Sequence, residues 1–261
     1  MSSQRTQILR QLILTLTVIS FTVEAFSRKD LALPCSFILL LFVLSSASWD
    51  LLQVAVMSLL VSAAPLYFPK VLWSIPASNF SVPFLLSTLV IWPVGPARAT
   101  LRWVSAGKID RVSKIFIVLT GVFSSVALIL WAIWSDNLGI GLSIMKGMSH
   151  TPKWIIAAGI PVFALVNAIS EEVAYRGVLQ EALQNVWGHR LGLVLVLQAS
   201  AFAAAHYAVG FPNGKLGYLM TFGFAWMLGF LRSRSNGILA PYLAHIVADL
   251  VIGYFLFFKV F

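Results

Sequence analysis

Six ionisable side chains stand inside apolar runs, where nothing about the fold asks for them. Glu171 and Glu172 are adjacent, Arg176 follows four residues after Glu172, His206 closes an apolar run, and His245 is followed four residues later by Asp249. Ionisable groups at membrane depth are costly and by default mark function. Glu172 and Arg176 have the i, i+4 spacing with the acid first, the favourable order on a helix. An arginine holding Glu172 leaves Glu171 with a like charge beside it, and two carboxylates in unlike surroundings suit acid/base work. Asn167, four residues before Glu171, shares its face and is placed to hydrogen-bond to it. His245 and Asp249 also share a face, and an aspartate can orient an imidazole and support its charged form. A second chemistry uses the same groups: His206, His245 and a carboxylate such as Glu171 make a three-ligand zinc set with an open position, although the chain has no H-E-x-x-H.

Each signal is weak alone. A Glu-Glu pair before an arginine is common in amphipathic helices, and a lone histidine in an apolar run is usually a satisfied core residue. The concentration carries the weight, because all these groups fall between residues 167 and 249. The first half offers only Glu24 and Asp50, both near run ends. Glu181 lies nearer the end of its run and reads as interfacial. His150 and His189 read as surface residues of a loop and a turn.

The elements that position these groups are membrane helices. The chain has 261 residues, 59% hydrophobic and 10% charged, and a mean hydropathy of +0.90. Soluble domains carry about 25% charged residues. The runs do not alternate as barrel strands do, so the fold class is all-α, a polytopic transmembrane helical bundle. Candidate spans are 8–26, 31–47, 51–68, 81–94, 115–135, 154–187, 191–207, 216–231 and 238–258, giving eight or nine crossings. The stretch 81–94, short and with Pro83 and Pro93 near its ends, reads as a possible re-entrant segment. The apolar run after Arg5 and Arg10 imitates a signal peptide but lacks a convincing cleavage site, and is read as a retained first helix. Cys35, the one cysteine, reads as a packing residue. The division expected is residues 1–153 as amino-terminal transmembrane helices and 154–261 as the catalytic core.

The net charge of +9 sits between apolar runs, where it sets orientation and meets anionic headgroups rather than nucleic acid. Arg98, Arg102, Lys108, Arg111 and Lys114 crowd one segment, which should be cytoplasmic. Nine crossings put Arg10 and the Arg232/Arg234 loop on that side too.

The stretch 154–187 would make a helix of about 50 Å, longer than a bilayer core of about 30 Å. Either it leaves the membrane near Ser170, or it runs on, tilted or kinked near Pro161, and turns at Gly188-His189. The second reading brings distant groups level. Glu171 lies 17 residues before Gly188 and His206 lies 17 after His189, so an antiparallel hairpin sets them at one depth.

The three clusters also form a pattern. Glu171-Glu172-Val173-Ala174-Tyr175-Arg176 fits EExxxR, Phe202-Ala203-Ala204-Ala205-His206 fits FxxxH, and His245-Ile246-Val247-Ala248-Asp249 fits HxxxN with Asp in place of Asn. In this order on membrane helices they resemble the CAAX prenyl protease type II family, also called the CPBP or Abi family of intramembrane proteases, over about residues 157–258. The resemblance implies a glutamate-dependent intramembrane endopeptidase, with no cofactor. Glu171 would activate water with help from His206, Glu172 and Arg176 would support it, and His245 and Asp249 would stabilise the oxyanion. An ionised aspartate cannot donate to an oxyanion, so Asp249 would instead orient His245. A zinc-dependent version would use Glu171, His206 and His245. The implied partners are membrane lipids and a membrane-anchored or C-terminal-tail peptide. Such a substrate is a prenylated tail, a bacteriocin leader or a sorting tail, met at the cell membrane. Two other functions compete: a non-enzymatic immunity or scaffold protein, and a proton-coupled transporter, which would show paired broken helices in two related halves.

Overall fold

The computed structural model describes residues 7–12, 14–15, 29–67, 78–98, 101, 105–135, 139–188, 190–207 and 210–261. Most of the first expected span, Arg5, Glu24, Arg102 and His189 lie outside them. Ten helices are labelled here: α1 (Lys29–Ser46), α2 (Leu52–Tyr67), α3 (Ser78–Ile91), α4 (Arg111–Trp134), α5 (Gly139–Gly147), α6 (Lys153–Glu172), α7 (Gln180–Trp187), α8 (Leu191–Tyr207), α9 (Gly214–Ser235) and α10 (Leu239–Val260). A π-helical turn, Val173–Leu179, joins α6 to α7 without a break. The described residues contain no strand.

Among the described residues three stretches are long and apolar enough to cross a bilayer: Arg111–Trp134, Lys153–Trp187 and Leu239–Val260. Shorter apolar helices lie at Leu33–Ser46, Trp49–Ala63, Ser81–Ile91 and Leu191–Tyr207. On α4 the buried residues include Ser113, Thr120, Gly121 and Ser124, while Val118, Val122, Phe123 and Ile133 are exposed. Small residues face protein and large apolar ones face outward, the pattern of a helix packed against its neighbours with lipid behind it. A Cβ on Gly121 would meet Val247 at 3.3 Å, so this glycine lets α4 approach α10 closely.

Residues 153–187 form one continuous rod, and Val173–Leu179 are buried in the bundle rather than lying on its surface. The rod turns at Gly188, whose φ of 30° lies in the left-handed region that suits glycine. Here α7 packs on α8, and α8 returns alongside the rod before packing on α9. The return register is as counted: the Arg176 guanidinium lies over the Phe202 ring, 4.6 Å from its centre. Helix α10 then inserts between α6 and α4. The main core joins both parts of the chain, with Leu51, Val54 and Ala55 sharing one cluster with Tyr175, Leu183 and Phe202.

The cationic segments gather at one end of the bundle. Asp110 caps α4 by accepting from the Ser113 amide at 2.7 Å and pairs with Arg234 at 2.7 Å. The Lys108 amide donates to Ser235 O at 2.8 Å, and the Ile238 amide to Ser105 O at 3.0 Å. At the same end Arg232 meets Glu181 at 3.1 Å, Gln7 donates to Val186 O at 2.7 Å, and Arg10 pairs with Asp50. Residues 105–111, Arg10 and the Arg232/Arg234 loop therefore gather at one end of the bundle. Glu181 is partly buried and paired with Arg232 at this end. His150 is an exposed turn residue, and Cys35 is a partly buried free thiol.

Candidate active site

The last turn of α6 presents Asn167, Glu171 and Glu172 inward, and all three are buried. Here the helix widens into the π turn, a distortion often found at functional sites. Arg176, on that turn, is fully buried and sets Nη1 at 3.0 Å from Glu172 Oε1. Its Nη2 donates to the Ala225 carbonyl of α9 at 3.3 Å. The i, i+4 pairing read from the sequence is thus present, and a third helix anchors it.

His245 comes across from α10. Its Nδ1 lies 2.7 Å from Glu172 Oε1, and an ionised carboxylate only accepts, so Nδ1 carries hydrogen. Its Nε2 stands 3.6 Å from Glu171 Oε2 and 3.7 Å from Asp249 Oδ1. Asn167 Nδ2 donates to Glu171 Oε1 at 3.3 Å and to Asp249 Oδ2 at 3.1 Å. Both expected same-face neighbours, Asn167 to Glu171 and His245 to Asp249, are in place. The cross-helix contacts of His245 with both glutamates and of Asn167 with Asp249 close the cluster.

His206 belongs to the site by another route. It makes no hydrogen bond or ion pair with Glu171 among the described residues. Its ring stacks on Phe202 with centres 4.6 Å apart, and Phe202 in turn meets Arg176, Tyr175 at 4.9 Å and His245 at 6.0 Å. His206 Nδ1 lies 2.9 Å from the Phe202 carbonyl. A carbonyl oxygen only accepts, so Nδ1 carries the hydrogen and the neutral ring keeps its lone pair at Nε2. The partly buried His206 therefore offers a basic nitrogen.

Sequence reading named Phe202 only as a motif position. In the structure it is the wedge between arginine and both histidines. Gln180 and Gln198 were passed over. Gln198 Nε2 donates to the Ala225 carbonyl at 2.8 Å, sharing it with Arg176, and Gln180 Nε2 donates to Gly229 O at 3.0 Å. Amides in apolar runs were the available signal. Among the described residues no three His, Cys, Asp or Glu side chains are disposed to hold one metal ion, so Glu171, His206 and His245 do not gather round a common point.

Chemically the cluster has the groups that acid/base work needs. Glu171 Oε2 is buried without a hydrogen-bond partner among the described residues, and its other oxygen is held. Next to it are an imidazole edge and a second, tightly held carboxylate.

No curated protein and no solved structure matches the chain. Residues 152–251 match the family model described as type II CAAX prenyl endopeptidase Rce1-like. That segment carries every residue of the cluster, and over it the chain is similar to the CAAX protease (CPBP) family of intramembrane endopeptidases.

Proposed function

We propose that the protein hydrolyses a peptide bond near a membrane-associated terminus with water activated by Glu171. The observation that carries this reading is Glu171 Oε2, buried without a hydrogen-bond partner among the described residues and 3.6 Å from His245 Nε2. Oε2 takes a proton from water as the water oxygen bonds to the scissile carbonyl carbon, and the C=O electron pair moves to oxygen. The C–N bond then breaks, the pair returns, and the leaving nitrogen takes the proton from Glu171. His206 Nε2 is a second acceptor for the water. A proton on His245 Nε2 faces the same space and can meet the developing oxyanion, the kind of preorganised donor that dominates such catalysis. Asp249 accepts from Asn167 and flanks His245, which fits an orienting role. Glu172, pinned by Arg176 and His245, holds the imidazole.

In our reading the shorter apolar helices, together with the first expected span and α9, bring a multi-pass protein of the cell membrane to eight or nine crossings. The substrate is a lipid-anchored or tail peptide reached from the bilayer surface.

Comparing membrane-protein termini in cells carrying wild type or Glu171→Ala tests the reading. The expected result is a set of termini made only by wild type. Identical sets, or full rescue by Glu171→Gln, would overturn it in favour of a non-enzymatic scaffold or immunity role. Activity lost on strong chelation and restored by zinc would replace the metal-free route with a metallopeptidase.

A further inference from the structure

Position 249 carries a carboxylate where the motif pattern has an amide. An amide is nevertheless present at that point, supplied by another helix. Asn167 is 6% exposed and its Nδ2 contacts both Glu171 Oε1 and Asp249 Oδ2. The two hydrogens of one NH2 group thus meet two carboxylates, 82 residues apart in sequence for the α10 partner. Both partners are acceptors, which fixes the orientation of the carboxamide. A bridge serving packing alone would leave nothing over. Here Asn167 Oδ1 is buried with no hydrogen-bond partner among the described residues, and a buried polar atom left so in a native site calls for a role.

We propose that Asn167 is a positioning residue that bridges Glu171 and Asp249 through its one NH2 group. By tying Glu171 Oε1 to Asp249 it leaves Oε2 as the one oxygen of Glu171 that takes the proton of water. It also keeps two neighbouring carboxylates from turning toward each other, because each has a donor of its own. This rests on the peptidase reading above. The amide on α6 and the acid on α10 act as one hydrogen-bonded pair, so the two are interchangeable as a unit and not singly.

The exchange gives the experiment. Asn167→Asp puts three carboxylates together with no amide between them. Asn167→Asp with Asp249→Asn restores one amide and one acid at the same two points. Termini are compared among wild type, Glu171→Ala, Asn167→Asp and the double variant, each purified in detergent and melted alongside. A peptide spanning a wild-type cleavage site then gives kcat and KM. Asn167→Asp is expected to lose about 10²-fold in kcat with KM held, a loss of the size expected when a positioned acid/base group is misplaced. The double variant is expected to recover to within about tenfold of wild type, a coupling that neighbouring residues show and independent ones do not. Wild-type cleavage by Asn167→Asp overturns the proposal. So does a double variant that melts as wild type and stays as slow as Asn167→Asp. A loss confined to KM or to melting temperature reduces Asn167 to packing and overturns it too. Wild-type termini equal to those of Glu171→Ala remove the peptidase reading itself, and the proposal with it.

Discussion

Between α1 and α2 the buried polar atoms are hydroxyls: Ser36 Oγ meets Ser58 Oγ at 2.8 Å and Ser62 Oγ at 3.2 Å. Among α6, the π turn, α8, α9 and α10 there are hydroxyls too, but also carboxylates, guanidinium groups, an imidazole and amides. The difference lies in what each group can do alone. A serine can fall back on its own helix, as Ser87 does by donating to Phe84 O at 2.9 Å. A carboxylate accepts only, and a helix interior has no spare donors. Glu171 and Glu172 must therefore be met from elsewhere, and meeting them fixes how three helices are rotated against each other. Hydroxyls hold the first region together, and ions specify the second.

Removing one ion should show this most strongly. Arg176→Met leaves Glu172 buried with its imidazole alone, and breaking a buried pair costs about 3–5 kcal/mol. Thermal unfolding in detergent should register a collapse in melting temperature, and a shift no larger than that of a serine variant would erase the contrast. Next comes Gly229→Ala. A Cβ there would meet Gln198 Nε2 at 2.5 Å and Leu195 Cδ2 at 2.9 Å, and overpacking of this kind costs about 1–3 kcal/mol. Cleavage should fall with stability, because Gln198 shares the Ala225 carbonyl with Arg176.

Ser58→Ala should cost about 0.6 kcal/mol, the average for polar contacts between membrane helices, and leave cleavage unchanged. The smallest effect is at Asp110, outside the spanning segments. The Ser113 amide, and after it Arg234, hold its carboxyl below the ordinary 3.8. Stability from a group depressed in the folded state is complete above the unfolded value and lost as pH falls through the folded one. The gap in melting temperature between wild type and Asp110→Asn should be present at neutral pH and close below 3.8.

What the sequence disclosed divides along the same line. Contacts within one helix were readable, because i, i+4 spacing alone predicts them: Asn167 with Glu171, Glu172 with Arg176, and His245 with Asp249. The hairpin at Gly188 was readable by counting, and Arg176 over Phe202 bears out its register. Contacts between helices were not. That His245 reaches both glutamates, and Asn167 reaches Asp249, depends on helix rotation, which no spacing encodes. Phe202 as a wedge depends on the same rotation. The amides of Gln180 and Gln198 meet carbonyls of α9, contacts that depend on the same rotation.

The π turn at Val173–Leu179 works as a phase shifter. A wider turn takes up one residue more than an α turn, which rotates everything beyond it by about 100° relative to an unbroken helix. Before the turn, the inward face of the rod shows acids to α10. After it, that face shows Gln180 and Gln184 to Ser233 of α9, at 2.8 and 3.0 Å. One rod thus addresses two partners in succession. Excising a single residue there would leave hydropathy and length almost untouched, yet would turn the glutamines off α9 or the glutamates off α10. The chain is more sensitive to a one-residue deletion in this turn than to most substitutions within it.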